Sequence, residues 1–136
     1  MPIEAEDLYR AAQALDRMKP PLVSDEICAR TMINRMYYAA YLATREAVRA
    51  QFGNPSFDVA HRTLAETLEA SADPDVSEIG SRLRILKAVR EDADYRLYMR
   101  VTRFLASLHL ADARFVLENA MRLKGRFPLI RARRRT

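Results

Sequence analysis

The sequence has one cysteine, no tryptophan, three glycines, and no acidic residue from Arg122 to Thr136. With Cys28 alone, neither an intrachain disulfide framework nor a cysteine-cluster zinc site is available, and a reducing, intracellular setting is expected. Gly53, Gly80 and Gly125 are far apart, which excludes glycine-rich phosphate loops of the Walker or dinucleotide type. No cofactor or metal motif is present. Long hydrophobic runs are missing too: MYYAAYLA falls far short of the roughly 20 residues of a membrane span. The opening MPIEAEDLYR carries acids where a signal peptide carries positive charge. A cytoplasmic protein with no membrane partner is the expectation.

What is present is charge, unevenly placed. The 136 residues carry 23 Lys and Arg against 18 Asp and Glu, a net charge of +5. Seven of the basic residues lie between Arg122 and Thr136, so the preceding 121 residues are net acidic by two. The sequence divides into a body, residues 1–125, and a basic tail, residues 126–136. Arg126, Arg131, Arg133, Arg134 and Arg135 of that tail are candidates for sequence-independent contact with RNA phosphates; the alternative is a solubilising end.

Apolar residues recur at three- and four-residue steps almost throughout, and alternating stretches are absent, so the chain reads as all-α. Five helical segments are predicted, near 4–18, 24–52, 57–71, 75–98 and 100–124. Pro20–Pro21, Gly53, Asp73–Pro74 and Gly125 punctuate them. The second, opened by Ser24 as N-cap, is the longest and is apolar on nearly every side, the profile of a helix at the centre of a bundle. Short connections predict an up-and-down four- or five-helix bundle.

Polar residues on core stripes are the candidates for function. The fourth segment steps through Val76, Ile79, Leu83, Leu86, position 90, Ala93 and Leu97, and position 90 is arginine. A guanidinium there is costly unless paired or open to a cleft. Asp94, one turn on, offers a structural ion pair, and a polar cleft is the functional alternative. In the second segment Asn34, Arg35, Tyr38 and Arg45 are candidates to line a cleft or an interface, or to solvate the helix rim. His61 lies on the apolar face of the third segment with Leu64 and Leu68, where a lone histidine is ordinarily a packed one; no second histidine stands at metal-ligand spacing.

Two runs carry a resemblance. Arg30-Thr-Met-Ile-Asn-Arg-Met-Tyr-Tyr-Ala-Ala-Tyr-Leu-Ala-Thr-Arg45 is similar to the "SRAYYAAFHAAR" signature of the HEPN superfamily. Leu83-Arg-Ile-Leu-Lys-Ala-Val-Arg-Glu-Asp-Ala-Asp-Tyr95 resembles its "L..LR..RN.ADY" counterpart. The resemblance covers about residues 5 to 124 and implies a helical bundle that forms a homodimer. In many members the dimer builds a metal-independent ribonuclease site from an Arg, an adjoining polar residue and a His a few residues on. Such proteins serve as toxins beside a nucleotidyltransferase antitoxin, or in phage defence and RNA processing. Here Arg90 matches the Arg and Glu91 fills the polar position. No His occurs from Glu91 to Leu108, and Tyr95 stands near the expected place. Asp94, Tyr95 and His61 remain alternatives for proton transfer. Arg90 and Tyr95 are five residues apart, about 140° around an ideal helix, which predicts that they share a site only if it is broad or shared between two chains. Loss of the His leaves a second possibility: a non-catalytic dimeric module that partners a nucleotidyltransferase or another protein.

Overall fold

Twenty-eight consecutive helical residues, Asp25–Phe52, form the axis of the computed structural model, which describes residues 4–17, 25–53 and 61–128, with the backbone alone for His61 and Arg62. Six helices are described: α1 (Ala5–Arg17), α2 (Asp25–Phe52), α3 (His61–Glu69), α4 (Pro74–Tyr95), α5 (Arg103–Leu108) and α6 (Leu110–Asn119). Among the described residues there is no strand, and none of these helices is long and apolar enough to cross a membrane. The fold is an all-α helical bundle.

The centre is α2, packed against α1, α4, α5 and α6. Its buried positions include Met32, Ile33, Met36, Tyr37, Ala40 and Val48, spread around more than one face, as the all-round apolar pattern requires. The one buried polar residue of the described core, Thr44, donates its hydroxyl to the Ala40 carbonyl (2.9 Å) and so leaves no orphaned group.

Several predicted boundaries move, the first for a local reason. Asp73–Pro74 opens α4 instead of closing the third segment: Pro74 occupies the first helical turn, and the Asp73 carboxylate accepts the Asp75 N–H at 3.0 Å. A proline's fixed φ and missing donor suit that position. At the other end α4 stops at Tyr95, so Leu97 leaves the stripe and stands exposed, while Val76, Ile79, Leu83, Leu86 and Ala93 are buried as predicted. The predicted fifth segment is broken at His109, which ends α5 and begins α6. Its Nδ1 lies 3.0 Å from Asp112, whose other oxygen binds Arg82 of α4 at 2.9 Å.

Packed structure continues past Gly125, where the tail was set to begin. Gln51 accepts the Gly125 and Phe127 N–H groups (2.7 and 3.0 Å) and donates to the Phe127 carbonyl (2.8 Å), and the Phe127 ring is buried. Arg126 places its fork on Asp73, with both contacts at 2.7 Å, and reaches Asp75 at 3.1 Å. It is thus engaged with the start of α4, whereas Arg131, Arg133, Arg134 and Arg135 lie outside the described residues.

The Arg126 bond holds the Asp73 carboxyl below its usual range, against a small opposing effect of burial. A carboxyl depressed on folding contributes stability that is present above its unfolded pKa and lost as pH falls through its folded one. Thermal midpoints of the wild type are therefore expected to fall below about pH 4 more steeply than those of Arg126→Ala. The two proteins should differ at pH 7 and converge in acid; parallel curves would show that this pair contributes nothing.

Candidate functional site

Arg90 projects from α4 onto α2, where the consecutive Tyr37 and Tyr38 receive it. Its guanidinium carbon lies 5.0 Å from the Tyr37 ring centre, 5.7 Å from that of Tyr38 and 5.8 Å from that of Tyr95. Three aromatic faces offset much of the cost of removing this charge from water. The side chain is only 14 % exposed; Nη1 lies 3.4 Å from Asp94 Oδ2, which also accepts the Asn34 amide at 3.2 Å. The ion pair foreseen for Arg90 is therefore present. Its Nε is buried and has no hydrogen-bond partner among the described residues. Burial opposes the charge on Arg90, but Tyr38, Tyr37, a hydrogen bond with Tyr95 and the Asp94 carboxylate outweigh it, so protonation is reinforced. Burial pushes the Tyr37 hydroxyl well above its usual range, which makes it no base.

Tyr95 brings its ring to Arg90 within one chain despite the helical angle between them. It is the last residue of α4, 73 % exposed, with its ring beside the guanidinium. Glu91 instead pairs with Lys87 at 3.6 Å on the exposed surface. The His61 side chain lies outside the described residues. His109 is held at the α5–α6 junction.

The four cleft candidates of α2 separate. Asn34 and Arg35 line a shallow groove of about 210 Å³ with Arg30, Thr31 and Asp94, and Tyr38 lies against Arg90. Arg35 is exposed and has no ion-pair partner among the described residues. Arg45 lies about 16 Å farther along the helix from Asn34, in another cleft of about 460 Å³ beside Leu42, Leu117 and Met121. Its guanidinium is 5.8 Å from the Tyr41 ring and 3.8 Å from Glu46.

Sequence reasoning missed Arg30. From α2 it donates to the carbonyls at the end of α4 and just beyond: Ala93 at 2.6 Å, Asp92 at 3.4 Å, Leu97 at 3.5 Å, and Met99. Glu26 holds it at 2.9 Å and accepts the Val101 N–H at 3.2 Å, and these bonds, Val101 first, keep the Glu26 carboxyl below its usual range. The i,i+4 spacing of Glu26 and Arg30 was legible; the distant carbonyls that Arg30 serves and the Val101 N–H that Glu26 accepts were not. Arg30→Ala would orphan the carbonyls that end α4. A loss of roughly 2–4 kcal/mol is expected in urea unfolding; a loss below about 0.5 kcal/mol, the scale of an ordinary surface substitution, would refute this role.

Chemically, the site combines a fixed cation, a carboxylate, an amide and an accessible phenol, and a guanidinium fork is suited to a phosphate or another planar anion. Among the described residues no group of three His, Cys, Asp or Glu side chains is placed to hold a metal ion. Together, fold and site define an all-helical bundle with an arginine caged by tyrosines between its second and fourth helices. No family profile, curated protein or solved structure matches the chain.

Proposed function

We propose that this is an RNA-directed protein of the HEPN type, toxin-like or defence-associated, with Arg90 at the centre of a variant metal-independent ribonuclease site. The observation that supports the reading best is the Arg90 cage at the position where the resemblance puts the family's arginine. In this reading Arg90 donates to the scissile phosphate and stabilises the charge that develops there. Proton transfer falls to Tyr95 or Asp94, both within reach of the guanidinium, with His61 the third candidate. The arginines at 131, 133, 134 and 135 would add phosphate affinity that weakens with salt.

The test is incubation with total RNA and tRNA in EDTA. Cleavage is expected, and intact RNA at high protein concentration would sink the ribonuclease reading. The homodimer that the resemblance implies is read separately by sedimentation equilibrium. A second reading is a non-catalytic module that partners a nucleotidyltransferase or another protein. It is favoured by Glu91 turning to Lys87, which leaves the adjoining polar position outside the cage.

A further inference from the structure

Beyond Arg90, at the end of α4, the chain turns an unusual amount of apolar surface outward. Tyr95, Leu97, Tyr98, Phe104 and Leu108, with Ile27 of α2, are each at least 55 % exposed, and Tyr98 reaches 85 %. They belong to one side of the bundle. Arg30 holds the Leu97 and Met99 carbonyls, Glu26 beside Ile27 holds the Val101 N–H, and Arg103 reaches Asp25 at 3.6 Å. The segment between α4 and α5 is thereby laid along the first turns of α2. Large apolar side chains left exposed together on one side of a bundle are what a docking partner covers.

Charge selects the occupant. Four of the five described carboxylates on this side are paired with an arginine, Asp25 with Arg103, Glu26 with Arg30, Asp92 with Arg96 and Asp94 with Arg90, while Asp16 accepts only the Ser107 hydroxyl. Seven described arginines, at 17, 30, 35, 90, 96, 100 and 103, stand against these five carboxylates, so the net charge around the apolar surface is positive. Arg17 and Arg35 have no ion-pair partner among the described residues, and Arg100 acts on Glu26 without a direct ion pair. A second copy would bring the same net positive charge. RNA would meet the cations and could stack on tyrosines, but Ile27, Leu97 and Leu108 offer aliphatic surface that bases do not use. We propose that this face docks an acidic amphipathic segment of a partner protein, its apolar side on Leu97, Tyr98 and Phe104 and its carboxylates on Arg35 and Arg100. The face serves this role whether or not Arg90 acts on RNA.

The test uses two fluorescein-labelled helical peptides with leucines at i, i+3, i+4 and i+7, one carrying Glu and the other Lys at the remaining positions. The full-length protein should bind the Glu peptide at least about tenfold more tightly. Leu97→Ser combined with Tyr98→Ser should lose at least about tenfold of that binding with an unchanged thermal midpoint, since both side chains are exposed. Arg100→Glu should narrow the preference between the peptides. No binding of the Glu peptide, or equal affinity for both, overturns the proposal. So does self-association that the double variant abolishes, which assigns the face to a second copy. Displacement of the Glu peptide by an unstructured oligouridylate assigns it to RNA, and capture by phosphatidylserine vesicles that the double variant abolishes assigns it to a membrane surface; either also overturns it.

Discussion

Replacing Arg90 with alanine is expected to lower RNA cleavage by at least ~100-fold, the usual cost of removing one preorganised donor to developing charge. The guanidinium is fixed by Tyr37, Tyr38, Tyr95 and Asp94, so a substrate phosphate meets a donor that needs no reorganisation. Arg90→Lys keeps the charge but loses the planar fork, and it should recover little. Tyr95→Phe keeps the ring over the guanidinium and removes only the hydroxyl; a large loss with a changed pH profile would assign proton transfer to that hydroxyl. Unfolding midpoints separate chemistry from folding in all three variants. Wild-type cleavage by Arg90→Ala would place the chemistry elsewhere.

Gly80→Ala should be the most destabilising single-methyl change in the bundle, although alanine is the better helix former by about 1 kcal/mol. A Cβ at position 80 would lie 2.2 Å from the Glu69 nitrogen and 2.7 Å from the Glu69 Cα and the Leu68 carbonyl carbon. All three are backbone atoms, so no rotamer change relieves the clash, and α3 and α4 must separate. That separation would disturb Leu64, Leu68, Ile79 and Leu83, which are buried in the same core. A net loss of roughly 3 kcal/mol is expected, at the upper end for overpacking, with a midpoint lower by about 10 °C. A raised midpoint would mean that helix propensity outweighs the close approach.

Nothing in the periodicity flags Gly80 as a contact point, because a glycine within a helical stripe looks the same whether it faces solvent or another backbone. The same limit divides the rest of the molecule. Arg90 stood out because its neighbours at three- and four-residue steps are apolar, which is a local pattern. Its tyrosine cage was only partly legible: Tyr38 was a cleft candidate, nothing tied Tyr37 to Arg90, and Tyr95 was placed around the helix from it. Leu97 was read as core because the stripe continued through it, yet the helix stops two residues earlier, where Arg30 takes the carbonyls. One misplaced helix end thus concealed the outward turn of Leu97 and Tyr98.

By itself the sequence determined the helical class, the central place of the second helix and the anomaly at position 90. Each follows from hydrophobic spacing within one helix, where neighbours are set by the 3.6-residue turn. The tertiary structure alone decided that Arg30 caps α4, that Arg126 is tied to Asp73, and that Leu97 and Tyr98 face outward. Those outcomes depend on residues brought together from distant parts of the chain, and on where each helix stops. Packing sets both, and no local pattern encodes them.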